Sequence, residues 1–308
     1  MEFGRVEPTT LPLIDFGLPP DNPHSARILD RDKPAAAAQF YVGCAKWGRK
    51  EWLGLIYPPK TTEKTFLNAY VKQFNSIELN TTFYGIPKKE QILKWKATAA
   101  DNRCSQFLFC PKFSSSITHI KRLNHAEMET DRYIEAISGF GTSLGPCFLQ
   151  LSDNFGPKNF KILEKYLTSL PSGLKVFVEL RHPDWFADQA IQSALFDMLS
   201  ELKKGVVITD ASGRRDVLHM ACTIPEVFIR FVGNGGAFLA SDKARIDDWT
   251  IRLAQWLTLG LENIYFFLHQ HDEADTPLIA NYTIERFNSL LGSKLAPLHL
   301  LKSSNTLF

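Results

Sequence analysis

The feature that most constrains the fold is a rhythm. From residue 37 onward, eight short apolar, β-rich runs alternate with longer helical stretches. The runs are QFYVGC (39–44), NSIELN (75–80), QFLFCPK (106–112), CFLQLS (147–152), KVFVELR (175–181), GVVITD (205–210), VFIRFVG (227–233) and IYFFLHQH (264–271). Between them lie helical patterns over 61–74, 124–140, 157–170 and 247–260, opening on Thr61, Asn124 and Pro157 and, in the last case, closing on Gly260. Strands alternating with helices pair in parallel through right-handed crossovers. The pattern predicts an α/β fold, a parallel eight-stranded (β/α)8 barrel of the TIM type, with a doubly wound open sheet as the rival. One unit breaks the rhythm: ASGRRDVLHMACTIPE (211–226) is too short and polar for a full outer helix and predicts a stunted helix or loop.

Residues 1–36 follow another rule. Pro8, Pro12, Pro19, Pro20, Pro23 and Pro34 block regular ladders and helices. They predict an irregular, extended N-terminal arm packed through Leu11, Leu13, Ile14 and Phe16, leaving 37–308 as the barrel domain. Charge narrows the partners: 35 Lys and Arg against 33 Asp and Glu give +2, which is not the footprint of a nucleic-acid coat or a polybasic membrane binder. No apolar run reaches the ~18–20 residues a spanning helix needs, and no secretory leader is visible. Five scattered cysteines, with no C-x-x-C pair, predict free thiols and a reducing, cytoplasmic setting.

Barrel chemistry sits where strands end and the βα loops converge. Each run ends in something polar: Lys46 and Trp47, Glu78 and Asn80, Lys112, Gln150, then Glu179, Arg181 and His182, then Asp210, Arg230, and His269 and His271. Residues two apart on a strand share a face, so Glu78 groups with Asn80, Glu179 with Arg181, and His269 with His271. Three readings follow. In one, Glu78, Glu179 and Asp210 neutralise Lys112, Arg181 and Arg230 in a purely structural network. In the second, the cations grip a small anionic ligand, phosphorylated or sugar-like. Lys112, Arg181, Arg230, Asn80, Gln150, Trp47, Tyr84 and Trp185 then bind it, while Glu179, Asp210, Glu78 and His182 supply acid/base chemistry. In the third, His269 and His271 join the carboxylates around a divalent metal in a phosphodiesterase- or nuclease-like hydrolase. A non-catalytic binding module is compatible with the second reading. GNGG (233–236), after the seventh run, is a further phosphate-loop candidate.

At these residues the chain resembles the DUF72 family, also called YecE-like proteins. The resemblance rests on GCAKWGRKEWLGLIYPP (43–59), FNSIELNTTFYGIP (74–87), FLFCPKFSSSITHIKRL (107–123), LGPCFLQLSDNF (144–155), VFVELRHPDWF (176–186) and ITD (208–210). It implies a TIM-type barrel and no established activity. The family's recurring positions fall here on Trp47, Trp52, Glu78, Asn80, Phe83, Tyr84, Lys112, Glu179, Arg181, His182, Trp185 and Asp210. Two departures stand out: Lys46 adds a cation to the first motif, and the last strand ends in His269-Gln270-His271.

Overall fold

The computed structural model describes residues 3–29, 37–100, 106–271 and 273–301. Eight strands form one parallel sheet: β1 (Gln39–Cys44), β2 (Ser76–Leu79), β3 (Leu108–Pro111), β4 (Cys147–Gln150), β5 (Val176–Glu179), β6 (Gly205–Asp210), β7 (Glu226–Gly233) and β8 (Asn263–Gln270). The order β3-β2-β1-β8-β7-β6-β5-β4 wraps the sheet into a barrel. Among the described residues no full ladder joins β3 to β4; the isolated bridges Phe109↔Leu144 and Lys112↔Phe148 span that junction. The barrel expectation holds, and the open-sheet rival is excluded.

Alternation along each strand sorts side chains onto two faces. Tyr41, Leu108, Cys110, Phe148, Phe177, Val207, Phe228, Tyr265 and Phe267 fill the barrel interior. Their neighbours one residue on, such as Val42, Phe109, Leu149, Val178, Ile208, Ile229 and Phe266, pack outward beneath the helices. The lumen is dense enough to demand glycine at one point. A Cβ on Gly205 would lie 2.2 Å from the Phe177 ring. On four strands an interior phenylalanine is followed two residues later by a buried polar side chain: Phe148 by Gln150, Phe177 by Glu179, Phe228 by Arg230, and Phe267 by His269. The polar layer therefore rests on an aromatic floor.

The outer helices depart from the predicted bounds where local polar groups compete. The 61–74 pattern yields only helix Phe66–Tyr70, because Thr62 and Thr65 close a turn through their own side chains. The 247–260 pattern extends backwards to Leu239–Thr258. The 211–226 segment carries a single short 3-10 turn, Arg215–Val217, as expected. The arm differs from the extended form expected of it. It holds a 3-10 helix, Pro8–Leu13, and a helix, Pro23–Leu29. Pro8 and Pro23 open these elements, where a missing N–H costs nothing. Leu11 is buried but Leu13 is exposed, and Pro34 lies outside the described residues. Phe16 and Gly17 offer their carbonyls to Arg215, and Pro19 offers its own to Arg252, so the arm lies against the β6 and β7 side of the barrel.

Candidate functional site

The polar layer at the C-terminal mouth is built around Arg230, which is 1% exposed. Its guanidinium grips Glu78 with two bonds, Nε to Oε2 at 2.8 Å and Nη2 to Oε1 at 2.7 Å. Its Nη1 donates to Glu179 Oε2 at 2.7 Å. Asn80 and His269 complete the shell of Glu78, at 2.8 and 2.9 Å. Arg181 Nε donates to Glu179 Oε1 at 2.8 Å, and its Nη2 to Gln150 Oε1 at 2.9 Å. The same Gln150 oxygen accepts from Lys112 Nζ at 2.6 Å. Residues at or just past the ends of β2, β3, β4, β5, β7 and β8 thus interlock in one layer.

The electrostatics follow from this pairing. Burial alone would raise Glu78, but Arg230 and His269 outweigh it and hold the carboxyl well below its usual range. Burial likewise opposes Glu179, and Arg181, Arg230 and Lys112 bring it down to about 2. Both carboxylates are therefore ionised and consumed as acceptors. Lys112 is the opposite case. Burial lowers it first and Arg230 second, Glu179 opposes, Arg181 lowers it further, and the ammonium sits at about 7. Its Nζ lies 4.1 Å from the Phe83 ring centroid. Its hydrogen-bond partner among the described residues is the neutral Gln150.

His119 is a mouth residue that sequence reasoning missed. It lies in a π-helical turn, Ser116–Ile120, a conformation that recurs at functional sites. Its ring stands edge-on to Phe83 at 5.0 Å. Burial lowers its pKa, and then Lys112 and Arg181. The turn is followed by Arg122, Leu123 and His125, all with positive φ, a cluster of strain of the kind functional loops store. No periodicity marks this loop; only its place after the third run could have flagged it.

Other candidates are placed elsewhere. Asp210 points outward, on the face of Ile208, and accepts from Arg245 at 2.8 Å, Trp249 Nε1 at 2.8 Å and Arg215. It belongs to a buried ion cluster behind the barrel wall. Trp185 is buried and donates to Phe155 O at 2.6 Å, as a core anchor. His182 Nδ1 accepts from Asp184 N at 3.2 Å, steadying its loop. Trp47 packs edge-on to Trp95 at 5.3 Å and lines a cavity of about 210 Å³ with the outward-facing Ile77 and Leu79. Tyr84 is 83% exposed. The amides of Asn234 and Gly235 bond Asp242, and that of Gly236 bonds Asp275, so carboxylates already occupy the GNGG loop. His269 is committed to Glu78, and no cluster of three or more His, Cys, Asp or Glu suited to a metal occurs among the described residues. No helix among them is long and apolar enough to cross a membrane.

The arm reaches this layer too. The Phe3 ring lies 3.9 Å from the Arg181 guanidinium carbon and 4.7 Å from that of Arg214. Gly4 O accepts from Gly213 N at 2.8 Å.

Fold and mouth together define a parallel (β/α)8 barrel protein with a buried ion-pair platform at its C-terminal strand ends. Within that class the chain belongs to the DUF72 family, whose model, described as a protein of unknown function, matches residues 41–299. It is 29% identical over 256 residues to the UPF0759 protein YecE of Escherichia coli K12, covering 77% of this chain and 89% of that protein. It is 31% identical over 107 residues to UPF0759 protein YunF of Bacillus subtilis, covering 35% of this chain and 34% of that one. A crystal structure of a DUF72 family protein from Enterococcus faecalis V583 superimposes with a TM-score of 0.64 at 19% identity, over 83% of this chain and 99% of that one. That likeness supports the barrel and nothing finer.

Proposed function

We propose that the barrel mouth binds a small anionic molecule, phosphorylated or sugar-like, and that the protein acts on it as an enzyme. The observation that carries this reading is the charge count of the buried layer. Lys112, Arg181 and Arg230 face two carboxylates, Glu78 and Glu179. The further acid nearby, Asp153, is 67% exposed and 3.9 Å from Arg181, too solvated to cancel a buried cation. One anion would balance the layer while Lys112 carries its proton; loss of that proton is the other route to neutrality. Arg181 is the direct grip, because among the described residues its Nη1 makes no hydrogen bond. Arg230 supports it from below, Glu78 and Glu179 hold the two guanidinium groups in place, and Phe83 and Tyr84 offer flat faces at the rim. A cytoplasmic setting belongs to the same proposal, since the four cysteines among the described residues are free and buried. Nucleic acid is disfavoured by the near-neutral charge.

Calorimetric titration with inorganic phosphate, glucose 6-phosphate and glucose tests the reading. The two anions should bind, and Arg181→Met should weaken both at least about tenfold, in a variant that circular dichroism shows still folded although its melting temperature falls as Glu179 loses a buried partner. Binding of glucose alone, or of none of the three, overturns it. Glucose 6-phosphate bound but never altered would leave a binding module and remove the enzyme.

A further inference from the structure

Lys112 is an unusual lysine for a protein interior. Its position is 7% exposed, just past β3. Phe83 and Phe148 box its Nζ, at 4.1 and 5.8 Å from their centroids. A buried structural lysine is normally matched by a carboxylate. Here both nearby carboxylates are spent on arginines, and among the described residues Nζ meets only the neutral Gln150 oxygen. An apolar box beside fixed guanidinium groups favours an amine that has shed its proton, the form that attacks carbonyl carbon.

We infer that Lys112 is an imine-forming nucleophile, and that the anionic ligand of the mouth carries an aldehyde or ketone carbonyl. The inference rests on the anion-binding reading and adds the reacting group. Arg181 takes the charged end of the ligand, and Lys112 takes the carbonyl. The neutral amine adds its lone pair to the carbonyl carbon while the carbonyl π electrons move to oxygen, and one N–H proton passes to that oxygen, giving a carbinolamine. The second N–H proton is lost and one is delivered to the hydroxyl, which leaves as water as the C=N bond forms. No oxidant or reductant is needed.

That proton is assigned, by the same inference, to His119, which meets the Phe83 ring that Lys112 also contacts. Thr118 Oγ1 donates to Ser114 O at 3.1 Å, so its oxygen is left to accept from His119 Nδ1 at 2.8 Å. The proton then sits on Nδ1, and Nε2 keeps its lone pair. Lys112 and His119 flank the same Phe83 ring. The groups facing Lys112 from the elements around it are Arg230, Glu179, Arg181 and Glu78, together with His119. Burial first, and then these charges, leave the lysine at about 7, so a substantial share of the amine is free near neutrality.

The test uses the full chain with dihydroxyacetone phosphate, and uncharged dihydroxyacetone as control. Sodium borohydride reduces any imine to a stable amine, which mass spectrometry of the intact protein and its peptides locates. The expected result is one adduct, on the peptide bearing Lys112, formed from the phosphate ester in preference to the uncharged ketone. It should be absent from Lys112→Met. His119→Ala should slow trapping at least about tenfold while leaving the affinity for inorganic phosphate unchanged. An adduct on a different lysine, or none although calorimetry shows that dihydroxyacetone phosphate binds, overturns the imine and leaves the anion site standing. Absence of both adduct and binding removes both. Because the peptide map is read in the unaltered protein, the outcome does not depend on the variant folding.

Discussion

Replacing Arg230 by methionine is the most informative perturbation of the barrel. Arg230 makes three hydrogen bonds to Glu78 and Glu179, and all three residues are at most 1% exposed. Methionine matches much of the aliphatic stem but leaves two buried carboxylates without their shared partner. Stranding one side of a buried ion pair costs about 3–5 kcal/mol. At roughly 2.1 cal/mol/K per residue, 308 residues give an unfolding entropy of roughly 0.6 kcal/mol/K, so a 4 kcal/mol loss lowers the melting temperature by about 6 °C. The pH dependence identifies the cause. In the parent protein Glu179 is depressed to about 2 from an ordinary 4.5. Its pairing therefore contributes fully above about 4.5 and is lost as pH falls towards 2. In Arg230→Met the stranded carboxylates rise instead, and protonation relieves them. The deficit relative to the parent should shrink as pH drops from 7 to 5. Differential scanning calorimetry of both proteins across that window is the assay. A deficit below about 1 kcal/mol at pH 7, the scale of an exposed pair, or one that stays constant down to pH 5, would refute the reasoning.

Three other outcomes are expected. Lys112 sits at about 7 when folded and 10.5 otherwise. The unfolded chain therefore holds the extra proton between those values and stability rises with pH across them; Lys112→Met should flatten that rise in chemical denaturation, and an unchanged slope would discount the burial argument. Asp210→Asn should destabilise by about 3 kcal/mol, because Arg245 and Arg215 lose their charged acceptor, yet leave phosphate affinity intact. A tenfold loss of affinity would contradict the outward placement of that side chain. Gly205→Ala drives a Cβ into the Phe177 ring and should cost about 1–3 kcal/mol; pairing it with Phe177→Leu should restore part of the loss, and no cost at all would mean the lumen is looser than described.

The strand rhythm was legible because a barrel strand must be apolar on both faces and finish on its functional residue. All eight runs became strands, and Glu78, Glu179, Arg181, Arg230, Lys112 and Gln150 met in one layer. What a single sequence could not supply was the facing of each side chain. Asp210 reads like Glu179, an acid ending an apolar run, yet it lies on the outer face. The difference is the register of its strand, which shows only when Val207 is found inside and Ile208 outside. His119 was invisible because a π-helical turn has no periodic signature. Trp185 looked like a rim aromatic because it follows a strand end, and packing against Phe160 and Phe155 decides otherwise. Proline density does not bar short helices in the arm, because Pro8 and Pro23 each open one.

Seven ladders fasten the circumference of this barrel, and the eighth junction, between β3 and β4, is held by two isolated bridges. One of these joins Lys112 to Phe148, and Lys112 bonds Gln150 across the same gap. The joint acts as an expansion gap in a hoop. If the mouth opens anywhere without breaking a full ladder, it opens here, and the side chains that would part are Lys112 and Gln150. A guest entering between them would work as a wedge, trading the Lys112–Gln150 bond for its own contacts. Backbone amides flanking this gap should then exchange hydrogen faster than those of β7 and β8, and slow down once a guest is seated.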